Sequence, residues 1–400
     1  MNKLKEKIIT VLGGGAIAKA IAADCALAGN RVRICDLMPF AEKSLFRVKE
    51  NGIKIYGEQV NLYGFERTGI GRVEMLTSNV AEAVKGVNNI IIAVPSVGHK
   101  TFFNELIPML EDEMIIHIIP DNNGSLLLRK MMNEQGCKKK VIIGGWAGPP
   151  FDARVDVKGG ISMPSIKLGY RAIKLKCSAL PYSDQKKFVD STKYIGAFDF
   201  LNSCAGIENG ETIMDICLSN TNPLLHTVGL IMGISVLENF TTILGQKLED
   251  FSIYSHAFCP SISKVQYAFY LEQKKIAKSI GIGITEYDEE QFFSRESVIG
   301  LKYMGPDFKI PFEDINYVGW GTGPTSINSR YLTEEIPVGC RIFHLLGKKF
   351  GINTPVIDSM ITLASVILGI NYYEEGYKLE DIGIANMSSK ELRDYLQNGI

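Results

Sequence analysis

The sequence predicts an α/β domain built on a parallel sheet, followed by a second domain that is mostly helical. Three observations carry this expectation. β-Branched runs alternate with helical spacers through the first half of the chain, and a glycine-rich turn joins the first run to an alanine-rich helix. From about residue 185 the apolar spacing becomes helical. A length of 400 residues also exceeds what one hydrophobic core usually supports, so two domains are expected, at 1–184 and 185–400.

The elements follow in order. Residues 7–12 form a short apolar run ending in glycines, and 16–28 read as a helix stopped by Gly29-Asn30. Arg31–Cys35 alternates and ends at Asp36. The runs 89–94, 114–119 and 140–143 are bounded by Pro, Gly or Asn and continue a sheet covered on both faces. Segments 154–157, 166–168 and 171–177 are expected to add an antiparallel edge to it, closing near Leu180-Pro181. Helical spacing then covers 222–238, 262–280, 337–350 and 355–368, with Asn222-Pro223 and Thr354-Pro355 as start signals.

Composition excludes several classes of function. With 43 basic and 44 acidic residues the net charge is −1, so the chain lacks the field of a dedicated nucleic-acid binder. A 46% hydrophobic, 22% charged chain is not disordered, and no apolar run reaches the length of a membrane span. Eight scattered cysteines without a CxxC pair read as reduced thiols, and no ligand spacing supports a metal. The expectation is a cytoplasmic protein, monomer or homodimer, with neither nucleic-acid nor membrane partner.

Gly13-Gly14-Gly15-Ala16-Ile17-Ala18 fits G-x-G-x-x-A between a strand and a helix, and Asp36 ends the next strand. This makes the first domain a doubly wound, Rossmann-type domain for a dinucleotide. Gly13 permits the tight turn, Gly15 lets backbone approach a pyrophosphate, and the helix start at Ala16 and Ile17 offers N–H groups to it. Asp36 would accept from the ribose hydroxyls and repel a 2′-phosphate. NAD(H) is therefore favoured, while nearby basic side chains could still admit NADP(H). Val94-Pro95 ends a later strand of the same sheet and is expected to touch the cofactor.

Two segments of the second half carry candidate chemistry. In Ser219–Gly233, Asn222 is a potential N-cap, Pro223 suits the first helical position, and His226 falls in or just past the first turn. Gly229 and Gly233, three and seven residues on, leave room for close approach by another backbone or a flat ligand. As a general base His226 needs a carboxylate to fix its tautomer; otherwise it is a helix-packing histidine. In 328–337, Arg330, Glu334 and Glu335 precede Pro337. Spacing alone leaves two readings of that segment, a carboxylate clamp with an acid partner or a solvated helix start.

These residues also resemble a known family. Ser219-Asn220-Thr221-Asn222-Pro223-Leu224-Leu225-His226 is similar to the S-N-x-N-P-x-x-H block of the opine dehydrogenases, the octopine/nopaline dehydrogenase family that includes the N-(1-carboxyethyl)-amino-acid dehydrogenases. Arg330-Tyr331 through Glu335-Ile336-Pro337 resembles that family's R-Y-x-x-(E/D)-D-(I/V)-P block, and 149–154 and 179–181 resemble landmarks ending its first domain. The resemblance covers nearly the whole chain and implies a Rossmann domain followed by a helical substrate and catalytic domain. It implies His226 as catalytic histidine, Arg330 as the arginine that orients substrate, and Glu335 as the histidine's acid partner, where the family usually has Asp. Asn222 is a cap, a substrate contact, or both. The implied reaction is reductive condensation of an amino acid with a 2-oxo acid, commonly pyruvate, by a reduced nicotinamide. The competing readings are a ketopantoate-type or other 2-oxo acid reductase, which would use a lysine in the helical domain, and a non-catalytic NAD-binding module.

Overall fold

The computed structural model of the protein describes residues 8–45, 47–48, 52–57, 67–293 and 322–399. The chain forms two compact units, the first from Met1–Ile216 with Tyr395–Ile400 and the second from Cys217–Asp394. The expected division at 184/185 lies inside the first unit. There the helix Gln185–Thr192 still packs on the sheet, and one further strand is added to it.

In the first unit, β1 (Ile8–Leu12), α1 (Ala16–Leu27) and β2 (Arg31–Cys35) form the expected crossover; Lys7 lies outside the described residues. Next come β3 (Ile53–Tyr56), β4 (Gly69–Gly71), β5 (Met75–Thr77), β6 (Asn89–Ile92), β7 (Ile115–Ile118) and β8 (Ile142–Trp146). They are followed by β9 (Phe151–Lys158), β10 (Ile161–Arg171), β11 (Leu175–Leu180) and β12 (Ile207–Asn209). The main sheet has the order β12-β11-β8-β7-β6-β1-β2-β5. β1 pairs in parallel with both β2 and β6, so Val11 lies beside Ile34 on one side and Ile91 on the other. All three side chains are fully buried, which is why these strands read as unbroken apolar runs. The strand order reverses at β1, and in such sheets ligands bind beyond the carboxyl ends of the strands at the reversal.

Two expectations are corrected here. The run at 140–143 is displaced to Ile142–Trp146, because Gly144 and Gly145 continue the strand instead of ending it. A Cβ on Gly144 would overlap the buried ring of Phe188, so the glycine is there for close packing. Segments 154–157 and 166–168 do not extend the main sheet. They lie in β9 and β10 of a separate four-stranded sheet, ordered β4-β3-β10-β9. The short strands β3 and β4 supply the partner that captures them, with Ile166 of β10 beside Ile55 of β3. Only β11 forms the expected antiparallel edge, against β8. On α1, the buried Asp24 carboxylate accepts from Arg171 of β10 and from Arg67, which also pairs with Asp199. This buried charge is matched by hydrogen-bonded partners, as it must be to persist away from water.

The second unit packs the helices Pro260–Ile280, Arg341–Phe350 and Pro355–Leu368 around Phe269, Ile276, Phe343, Ile357 and Ile361, all buried. The last helix has its expected bounds. The helix expected over 222–238 is instead broken. A π-helical turn at Pro223–Thr227 leads to short helices at Val228–Met232 and Ile234–Glu238, with Gly233 between them. A second π-helical turn, Glu335–Cys340, begins the segment expected to be helical over 337–350. Among the described residues no helix is long and apolar enough to cross a membrane.

Candidate functional site

In the first unit the sequence-predicted cofactor residues converge at the carboxyl ends of β1, β2 and β6. Gly13 has φ +118°, in the left-handed region, and its N–H donates to the Cys35 carbonyl at 2.7 Å. A Cβ at Gly13 would stand 2.5 Å from the Ala93 carbonyl oxygen and 2.9 Å from Val94 Cγ1, so the turn and the Val94-Pro95 strand end are in close approach. A Cβ at Gly14 would stand 2.5 Å from Asp36 Oδ2. A Cβ at Gly15 would meet nothing within 4 Å. That open space lies at the start of α1, which has no side-chain cap, so its first N–H groups face the opening. The residues present therefore fit a dinucleotide pyrophosphate.

Asp36 is buried, and burial raises its pKa above the ordinary carboxylate value. Its carboxylate accepts from the Ser44 hydroxyl at 2.6 Å and from the Leu37 N–H at 3.0 Å. Sequence reasoning missed both Ser44 and Lys19. Lys19 is buried on α1, with Nζ donating to Ser162 Oγ at 2.6 Å. Burial lowers its pKa to about 8, against the opposing pull of Asp36. Beyond β6 and β7, Asn122 Nδ2 donates to Ser96 Oγ at 3.1 Å, both side chains buried at the same edge of the sheet. The turn that follows Val94-Pro95 was expected at this edge from the sequence, whereas Asn122 had no motif to announce it.

The second unit brings together residues far apart in sequence. His226 Nδ1 lies 3.1 Å from Glu335 Oε1, and the two residues are 4% and 2% exposed. The other ring nitrogen, Nε2, lies 3.1 Å from the Tyr254 hydroxyl. Tyr331 stacks on the imidazole with ring centroids 3.8 Å apart and planes 1° from parallel. His226, Tyr254 and Glu335 each sit on a π-helical turn, at Pro223–Thr227, Ile253–Ala257 and Glu335–Cys340. Such turns widen the helix locally and recur at functional sites.

Gly229 and Gly233 give the room that their spacing suggested. A Cβ at Gly229 would stand 2.5 Å from the Phe258 ring, and one at Gly233 2.5 Å from Ala257 Cβ. What approaches them is therefore the segment that carries Tyr254. Burial pushes the Glu335 carboxyl up to about 7, with Arg330 pulling weakly the other way. Its Oε2 is buried and has no hydrogen-bond partner among the described residues. Arg330 is half-exposed, with Nη1 3.7 Å from Glu334 Oε2. Asn222 is not a cap: its backbone is already helical and its side chain makes no capping bond. The Asn220 side chain instead accepts from the Asn222 N–H at 3.0 Å. His117 is buried in β7, with Trp146 Nε1 at 3.3 Å and Ser191 Oγ at 3.1 Å.

A doubly wound domain with an open glycine turn, followed by a helical unit, is the plan of an NAD(P)-dependent oxidoreductase, and comparison with known proteins narrows the class. Residues 209–368 match the family model described as NAD/NADP octopine/nopaline dehydrogenase, alpha-helical domain. An opine dehydrogenase of Arthrobacter sp. (strain 1C) is 24% identical over 398 residues, spanning 98% of this chain and 100% of that protein. Two solved structures share the fold at low identity. An octopine dehydrogenase studied with NADH and pyruvate has a TM-score of 0.69 at 16% identity, covering 98% of each chain. A yersinopine dehydrogenase with NADP+ bound has a TM-score of 0.64 at 11% identity, covering 99% of each chain. The helical residues 209–368 are thus similar to the octopine/nopaline dehydrogenase helical domain, and the similarity to opine dehydrogenases, NAD(P)-dependent oxidoreductases that act on CH–NH bonds, runs over nearly the whole chain.

Proposed function

We propose that this protein condenses the amino group of an amino acid with a 2-oxo acid, pyruvate in the first instance, and reduces the resulting imine. The observation that carries this reading is the buried His226–Glu335 pair, 3.1 Å apart. The amine must lose a proton before it attacks the carbonyl, and the carbinolamine must gain one before water leaves. A histidine held by a carboxylate serves both steps. With Glu335 ionised, Nδ1–H donates to it and Nε2 presents a lone pair. With Glu335 protonated, the carboxyl donates to Nδ1 and the proton on Nε2 disables the base. Arg330 clamps a substrate carboxylate with its planar fork, and Asn222, released from capping, is assigned to substrate.

Gly13, Gly14, Gly15, Ala16 and Ile17 would hold the pyrophosphate, with Val94 and Pro95 along the same opening. Asp36 would accept from the ribose and disfavour a 2′-phosphate, so NADH is the preferred cofactor. The bound nicotinamide supplies the hydride that saturates the imine carbon.

The test is oxidation of NADH, with NADPH in parallel, in the presence of pyruvate and pools of amino acids. The expected outcome is turnover that requires both substrates and falls about 1,000-fold in His226→Ala, within the range for loss of acid–base catalysis. Oxidation by the 2-oxo acid alone would establish a simple reductase and overturn the proposal.

A further inference from the structure

The Nε2 nitrogen of His226, the one that must exchange protons if Nδ1 is held by Glu335, does not lie open to a substrate. It meets the Tyr254 hydroxyl at 3.1 Å. Tyr331 covers one face of the ring, Glu335 takes Nδ1, and the imidazole side chain is only 5% exposed. A substrate atom therefore reaches neither ring nitrogen without displacing a bonded group. We propose that Tyr254 is the residue through which protons pass between His226 and the reacting atoms. This makes Tyr254, itself 7% exposed, the group that relays the proton, and His226 the base that it serves. The inference rests on the opine-forming reading and deepens it.

The sequence around Tyr254 is arranged to hold its hydroxyl in place. Ile253–Ala257 form a π-helical turn closed by the Phe258 N–H donating to the Ile253 carbonyl at 2.9 Å. Gly229 and Gly233, on the helical segments that follow His226, remove the side chains that would hold this turn away. Phe258, whose ring would overlap a Cβ at Gly229, also packs edge-on against Tyr254, with centroids 5.4 Å apart. A purely space-filling aromatic here would need no hydroxyl. A hydroxyl that both donates and accepts can pass a proton without becoming an anion, because it gives up one proton as it takes another.

The steps balance. Tyr254 Oη–H gives its proton to His226 Nε2 and takes one from the substrate ammonium, leaving a neutral amine and an imidazolium whose Nδ1–H stays on Glu335. The amine nitrogen attacks the 2-oxo carbon; the C–N bond forms, the C=O π pair moves to oxygen, and that oxygen takes the nitrogen's proton, giving the carbinolamine. Tyr254 then gives its proton to the carbinolamine hydroxyl and takes the Nε2 proton back. The C–O bond breaks, water leaves, and the nitrogen lone pair forms the iminium C=N. One ammonium and one carbonyl have become one iminium and one water, and both Tyr254 and His226 are restored.

The experiment compares wild type with Tyr254→Phe in NADH oxidation, with NADH affinity and melting temperature measured alongside. In the variant, kcat is expected to fall at least 100-fold, with KM for both substrates within about threefold and NADH affinity unchanged. A kcat within fivefold of wild type, or a raised KM with kcat retained, would overturn the inference. If Tyr254→Phe does not fold, 3,5-difluorotyrosine at 254 keeps the shape and the hydroxyl but makes it more acidic. A kcat altered at least fivefold is then expected, and an unaltered one counts against the proposal. If wild type itself shows no turnover that depends on amino acid and 2-oxo acid, the functional reading fails. If wild type turns over and Tyr254→Phe matches it, only the relay fails.

Discussion

In the first unit the candidate cofactor site is made largely of backbone: Gly13–Gly15, the uncapped start of α1 and the strand end at Val94 lie within short stretches of chain. In the second, the candidate proton-transfer site is made of side chains on three separate π-helical turns, and His226 meets Glu335 across 109 residues of sequence. A backbone cradle tolerates changes of side chain around it but no added Cβ at its glycines. A side-chain cluster tolerates backbone variation but depends on the packing that aims each group. The two units should therefore fail in different ways.

The largest separation is expected from Glu335→Gln. Removing the carboxylate leaves His226 without its orienting acceptor, and kcat should fall on the order of 100-fold with NADH affinity unchanged. The pH dependence gives the sign. The folded-state pKa, about 7, lies above the ordinary 4.5, so the folded protein holds this proton more tightly than the unfolded chain. The stabilising contribution is fully present below about 4.5 and is lost as pH rises through about 7, while the base form, and with it kcat, appears over the upper part of that range. Chemical denaturation and kcat profiles across this window should both lose the feature in Glu335→Gln. An NADH affinity that falls with kcat would break the comparison.

Gly229→Ala should act through packing. Its Cβ would overlap the Phe258 ring, and an overpacked core site of this kind costs about 2 kcal/mol. A lower melting temperature with reduced kcat and intact NADH binding is the expected pattern. The smallest effect is expected from Gly14→Ala, where the added carbon meets Asp36 and Ser44. NADH affinity, measured by nicotinamide fluorescence, should weaken about tenfold, roughly 1.4 kcal/mol, while the melting temperature changes little. Unchanged affinity would show that the turn does not carry the cofactor.

The same contrast explains what could be read in advance. The turn at 13–15 and Asp36 are contiguous and flanked by unambiguous elements, so strand, helix and acid could be placed from spacing alone. The second sheet could not, because β3 and β4 have only four and three residues and carry no alternation long enough to register. Glu335 was paired with His226 through the family resemblance, since spacing left it as one of two acids at a helix start. Tyr254 was missed altogether: its partner lies 28 residues away, and a tyrosine among apolar neighbours reads as core. The glycines at 229 and 233 were the available signal. They announced a close approach without naming what approached. Asn222 misled as a cap because its backbone is already helical and its side chain makes no capping bond.

The first unit takes in a segment that follows the second unit along the chain. Tyr395–Ile400 belong to it, and there the Gln397 side chain donates to the Glu211 carbonyl at 3.1 Å. The second unit is thus an insertion within the first along the chain. During synthesis the helical residues therefore emerge before the segment from Tyr395, so the first unit gains its Gln397–Glu211 contact only after the second has been made.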